Sequence, residues 1–112
     1  MSPITTHILD TSLGKPAEGV AVTLEQLRDG GATKLGDSVT NADGRATDLL
    51  EPGRLEAGAY RLTFEVSGYF ASSGRESFYP QVQIDFQVTA PAEHHHVPLL
   101  LSPHGYTTYR GS

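Results

Sequence analysis

Short apolar–polar alternations, broken every few residues by glycine or proline, constrain this chain more than any other feature. Residues 20–27 alternate, with Val20, Val22 and Leu24 on one side and Ala21, Thr23 and Glu25 on the other. Residues 60–66 repeat the pattern, setting Tyr60, Leu62, Phe64 and Val66 against Arg61, Thr63 and Glu65. Residues 82–88 repeat it again, setting Val82, Ile84, Phe86 and Val88 against Gln83, Asp85 and Gln87. A period of two sends successive side chains to opposite faces of a strand. Each segment therefore has one face for a core and one for water.

The intervening residues keep these strands short. The 112 residues include twelve glycines and seven prolines, the punctuation of an all-β sandwich or barrel. Residues 4–9 read as a first strand and residues 10–16 as a turn-rich loop. Asp29-Gly30-Gly31 is a hairpin signal, followed by a weaker strand over 35–40. Asn41-Ala42-Asp43-Gly44-Arg45 is a second turn, with Asp-Gly supplying a left-handed position. Pro52-Gly53 marks a further loop. Tyr69, Phe70 and Ala71 sit at helical spacing, which predicts one short helix over 67–73. The continuous apolar run at 97–101, Pro98 included, predicts a strand covered on both faces. Residues 106–109 give a last short strand. Seven or eight strands and no linker fit a single domain spanning residues 1–112.

Composition removes several function classes. Eight basic against 13 acidic residues leave a net charge of −5, which argues against a nucleic-acid binder. Cysteine is absent, so disulfides, thiolate metal sites and cysteine nucleophiles are excluded. No apolar run approaches the roughly 20 residues of a membrane span. Met1 to His7 carries neither a basic nor an apolar leader segment, so the expected compartment is the cytoplasm. Gly30-Gly31 lacks the lysine and following helix of a phosphate-binding loop. There is no G-x-S-x-G elbow and no suggestive pair of carboxylates.

The histidines are unevenly placed: His7 near the start, then His94, His95, His96 and His104. On a strand, His94 and His96 share a face and His95 points the other way. A His-x-His pair is half of a metal site, or else a solvated strand end. Arg45 follows a turn, where arginines are ordinarily solvent-exposed. The run Tyr106 to Ser112 places an aromatic, a cation and a hydroxyl directly after a buried-looking strand, whereas chain ends are usually frayed. An ordinary edge strand would also explain it.

Four segments together carry a family resemblance. They are Thr6-His7-Ile8-Leu9-Asp10, Thr40 to Arg45, His94 to Pro103, and Gly105 to the terminal Tyr109-Arg110-Gly111-Ser112. The chain resembles the transthyretin-related family, and within it the enzymes that hydrolyse 5-hydroxyisourate rather than the hormone carriers. The Tyr-Arg-Gly-Ser end is the specific part. His95 departs from the family, which usually has an aromatic residue there, and Gln81 stands where an acidic residue is common. The resemblance implies a transthyretin-like, two-sheet antiparallel sandwich of about eight strands with one short helix. It implies a homotetramer with sites at the subunit interface, a small-molecule substrate from urate catabolism, and no cofactor or metal. His7, Arg45 and His96 match the family's catalytic set. Arg45 and His7, with Tyr109, Arg110, Gly111 and Ser112, match its substrate-binding positions. A ligand carrier on the same sandwich and a metal hydrolase using His94 and His96 are the competing readings.

Overall fold

The computed structural model describes residues 2–112; Met1 lies outside them. The strands are β1 (Ile4–Asp10), β2 (Lys15–Pro16), β3 (Ala21–Arg28), β4 (Gly31–Val39), β5 (Arg45–Ala46), β6 (Gly58–Phe64), β7 (Val82–Val88), β8 (His95–Ser102) and β9 (Gly105–Thr108). One helix, α1 (Val66–Ser72), follows β6. Two sheets face each other. One runs β2-β1-β8-β9, with β5 also pairing β1; the other runs β4-β3-β6-β7. The alternating residues meet between them: Val22, Leu24, Tyr60, Leu62, Phe64, Val82, Ile84 and Val88 are all buried in one core with Ile4, Ile8, Leu99 and Leu101.

Local chemistry explains most boundaries. Asp29 and Gly30 both take positive φ, 49° and 76°, which is the turn that matches strand twist and pairs Arg28 with Gly31. That pairing starts β4 four residues before the expected strand. Residues 31–34 are all exposed, so they carry no alternation to read; the turn alone recruits them. At the other end of β6, Val66 stays buried but opens α1 instead of continuing the strand. This helix has seven residues and no side-chain cap, too little to be stable alone. It is held by burial of Val66 and Phe70, which contributes roughly 1.5–3 kcal/mol per large apolar side chain.

The sandwich departs from pure antiparallel pairing at one place. Strands β1 and β8 run parallel, with Ile4 beside His95, Thr5 beside His96 and His7 beside Pro98. The strand β8 is thereby central, between β1 and β9, as its unbroken apolar run predicts. Pro98 has no N–H to give to a ladder. The β8–β9 pairing stops at Leu99–Thr108 and resumes in the same register at a His96–Gly111 bridge. The proline gap leaves Tyr109 and Arg110 outside the ladder and returns Gly111 to His96.

Candidate active site

Three strands bring the expected residues together. Thr5 and His7 project from the same face of β1. Antiparallel pairing of β1 with β5 sets Arg45 opposite His7. Parallel pairing of β1 with β8 sets His96 opposite Thr5. A cavity of about 320 Å3 opens here, lined by Thr5, Arg45, His94, His96 and Ser112 among others; His7 faces Arg45 across the strands but is not in the lining.

Arg45 is placed by the turn before it. The Asn41 side-chain oxygen accepts from the backbone N–H of Asp43 at 2.9 Å and of Arg45 at 3.0 Å. The Gly44 carbonyl accepts from the Ile8 N–H at 2.7 Å. Gly44 has φ 76°, and a Cβ there would lie 2.4 Å from the Ile8 carbonyl oxygen. Only glycine lets the turn close onto β1 and deliver Arg45 beside His7.

The other five arginines all pair with carboxylates: Arg28 with Glu56, Arg54 with Glu51, Arg61 with Asp85, Arg75 with Asp10 and Arg110 with Glu93. Arg45 alone has no such partner among the described residues. Its exposed guanidinium lies opposite His7 and acts on His96, with no carboxylate side chain paired to it. Hydrated and unpaired, it costs the fold little and is suited to an incoming anion or a developing oxyanion.

The buried Thr5 hydroxyl lies between two rings, 2.9 Å from His94 Nε2 and 2.8 Å from His96 Nδ1. The two rings stack at 24° with centroids 6.2 Å apart, so they share a face as alternation predicts. His95 is buried on the opposite side, with its Nδ1 2.9 Å from the Glu93 carbonyl oxygen. Burial pushes the His96 pKa below the ordinary imidazole value, and the nearby Arg45, His94 and His7 push it the same way. A hydrogen bond to the Thr5 backbone works in the other direction without reversing the shift. His96 is thus a neutral, proton-accepting imidazole at neutral pH. The His-x-His pair closes on a hydroxyl, and no group of three metal-ligating side chains occurs among the described residues.

The end of the chain divides. Gly111 donates its N–H to the His96 carbonyl at 2.9 Å, and Ser112 lines the cavity. A Cβ on Gly111 would come within 2.6 Å of His96 Cδ2 and 3.0 Å of Pro98 Cγ, so the segment crosses the ring only because residue 111 is glycine. Tyr109 and Arg110 do not line this cavity. They border an adjoining space of about 260 Å3 together with Ile84, Phe86 and His95, and His96 lines both. The family resemblance singled out His7, Arg45, His96 and the terminal segment. It missed Thr5, whose place between the histidines depends on a parallel register 91 residues apart in sequence.

The sequence profile of the HIUase/Transthyretin family matches residues 4–111. The chain is 47% identical over 113 residues to the 5-hydroxyisourate hydrolase of Mus musculus, covering 99% of this chain and 96% of that one. The solved structure of Klebsiella pneumoniae 5-hydroxyisourate hydrolase superposes with a TM-score of 0.84 at 45% identity, covering 97% of this chain and 98% of that one. Sea bream transthyretin in complex with thyroxine superposes with a TM-score of 0.91 at 33% identity, covering 97% and 94%. The backbone fits hydrolase and carrier alike, so shape does not separate the two activities. Sequence identity is higher to the hydrolase.

Proposed function

The chain belongs to the HIUase/transthyretin family, and on that premise we propose that it is a single-domain 5-hydroxyisourate hydrolase of urate catabolism. The relatives it matches over nearly their full length carry that activity. The observation that carries the reading is the unpaired Arg45 beside His7 and His96. A carrier needs to hold its ligand and has no use for a proton-accepting imidazole beside the cation. A hydrolase that must polarise a carbonyl and deprotonate water does.

In the proposed reaction His7 and His96 together orient a water molecule and take its proton. The water oxygen bonds to a carbonyl carbon of the six-membered ring. Arg45 stabilises the oxyanion that forms. The tetrahedral intermediate collapses by breaking the cyclic amide C–N bond, and the imidazolium returns its proton to the departing ring nitrogen. The product is 2-oxo-4-hydroxy-4-carboxy-5-ureidoimidazoline. Ser112 and Gly111 shape the wall of the site, and Tyr109 and Arg110 hold substrate from the segment beside it.

The same reading makes the protein a cytoplasmic homotetramer with its sites at subunit interfaces. Two features support the assembly. Strands β7 and β9 are sheet edges, which a second copy would cover. Tyr106 and Tyr109, 41% and 56% exposed, offer aromatic surface beside β8. The test generates 5-hydroxyisourate by enzymatic oxidation of urate and follows its ultraviolet absorbance. Decay far faster than in buffer is expected. Binding that leaves the spontaneous rate unchanged would make the protein a carrier.

A further inference from the structure

The Thr5 hydroxyl carries one proton and faces two imidazole nitrogens, His94 Nε2 at 2.9 Å and His96 Nδ1 at 2.8 Å. Thr5 is buried, and its hydroxyl has no other hydrogen-bond partner among the described residues. The proton therefore goes to one ring or the other, and leaving it unpaired in a buried position is costly. Whichever ring receives it must present a lone pair, and the remaining ring donates its own N–H to the Thr5 oxygen. Two arrangements satisfy every atom. In the first, His96 holds its proton on Nδ1 and donates to Thr5, while Thr5 donates to His94. In the second, His94 donates from Nε2 and Thr5 donates to His96 Nδ1.

The two differ at the atom that matters for hydrolysis. With the proton on Nδ1, His96 Nε2 is a free lone pair and can accept a proton from water. In the second arrangement neutral His96 carries its proton on Nε2 and has no base to offer the cavity. We propose that Thr5 sets the tautomer of His96 and that His94, through Thr5, decides which tautomer is present. Both are positioning residues: neither touches the reacting atoms. The inference rests on the reading of His96 as a base above. A proton arriving at Nε2 of the exposed His94 makes that ring an obligate donor there. It forces Thr5 to turn toward His96 and removes the base with no proton bound to His96 itself. The charged and titratable groups facing the pair are Arg45 from β5, His7 from β1, the carboxylate of Ser112, which lines the same cavity, and Glu93 beside His94, whose carboxylate is engaged by Arg110 at 3.1 Å.

The test has one arm that needs no turnover. Nitrogen-15 imidazole correlations at about pH 8, well above the ordinary histidine range, read the tautomer directly. His96 should be in the Nδ1–H form in the wild type and in Thr5→Ser, and should lose that preference in Thr5→Val. In the second arm, kcat for 5-hydroxyisourate should fall roughly tenfold or more in Thr5→Val with KM within about twofold, and Thr5→Ser should restore it. Wild-type log kcat should fall on the acid side with a slope above one, because either of two coupled protonations silences the base. His94→Phe leaves the Thr5 proton only His96 Nδ1 as an acceptor, so it should shift His96 to the Nε2–H form and lower kcat as Thr5→Val does. An Nε2–H tautomer for His96 in the wild type, or a Thr5→Val protein with wild-type kcat and pH profile, would overturn the inference. Absent turnover with the Nδ1–H tautomer intact would support the Thr5 switch and sink the hydrolase reading instead.

Discussion

Two polar clusters hang on the same strand, and they are completed to different degrees. At the C-terminal end of β1, the buried Asp10 carboxylate is satisfied on both oxygens. One accepts from the Ser12 N–H, the Ser12 hydroxyl and the Leu13 N–H at 3.1, 2.7 and 3.1 Å. The other accepts from the Tyr69 hydroxyl at 2.7 Å and Arg75 at 2.8 Å. Arg75 also lies 4.9 Å from the Phe70 ring centroid, so one ion pair pins α1 and the following loop onto the first sheet. Burial would raise the Asp10 pKa, but Arg75, Ser12, Tyr69 and Leu13 outweigh it and hold the carboxyl far below the usual carboxylate range. At the other end of β1, Arg45 has no carboxylate side chain paired to it, and of the His96 ring nitrogens only Nδ1 has a partner among the described residues. A polar cluster that serves the fold closes on itself. One that serves a ligand keeps donors and charge in reserve.

The largest expected effect breaks the closed cluster. Arg75→Ala leaves a buried carboxylate without its cation and should lower stability by about 3 kcal/mol, read as a fall in the urea midpoint at unchanged slope. The figure sits at the low end for a broken buried pair because four donors to Asp10 remain. Turnover per folded molecule should hold. A loss of activity equal to that in the open cluster would erase the distinction between the two.

His7→Ala, Arg45→Ala and His96→Ala should each do the reverse. Turnover should drop by roughly 10²-fold or more, in keeping with loss of a base or an oxyanion donor, while thermal midpoints stay close to wild type. Acid should separate the clusters too. The His96 pKa is lowered in the fold, so its own protonation adds to the loss of turnover only below the free-imidazole value of about 6.5. The Asp10 pKa is also lowered in the fold. Its stabilisation is full above the free-aspartate value of about 3.9 and is lost as pH falls further. Activity should therefore disappear while circular dichroism still reports a folded sandwich. Rate and ellipticity lost together near pH 4 would mean that unfolding, not imidazole protonation, sets the acid limb.

The two regions were also unequally legible in the sequence. The core strands announce themselves because Val82, Ile84 and Val88 turn inward and Gln83, Asp85 and Gln87 outward. The Asp10 cluster leaves no such trace. Tyr69 and Arg75 lie 59 and 65 residues away, and only the packing of α1 brings them near. The open cluster falls between these cases. Alternation puts His94 and His96 on one face, but joining them to His7 and Arg45 took the family resemblance. Thr5 escaped because its role depends on the parallel β1–β8 register, which local pattern does not encode.

A smaller effect sharpens the boundary of the open cluster. Gly111→Ala would bring a methyl within 2.6 Å of the His96 ring and 3.0 Å of Pro98. The last two residues must lift away or the ring must tilt. Turnover should fall by about tenfold, since a misplacement on the order of 1 Å is enough for such a loss. Stability should change little, because only one backbone bridge to His96 is at stake. Wild-type turnover in Gly111→Ala would show that the terminal segment is not part of the site wall.

The smallest effect is expected one residue away from the largest catalytic one. His95 stands between His94 and His96 in sequence, yet strand alternation turns it to the buried side of β8. There its ring borders the space beside Ile84 and Phe86, which His96 also lines, and not the cavity that holds Arg45 and Ser112. About 260 Å3 of open volume adjoins it, so a larger aromatic ring fits without the overpacking that would distort the strand. Its one hydrogen bond, to the Glu93 carbonyl, is local and part-exposed. His95→Tyr should thus leave turnover within about threefold of wild type and stability within about 1 kcal/mol, the range of tolerated aromatic and shape-conserving exchanges. The contrast with His96→Ala is a direct measure of register: a slip of one residue in β8 exchanges the two faces. If His95→Tyr were the damaging change and His96→Ala the silent one, the pairing of His96 with Thr5, and every inference that depends on it, would be wrong by one position.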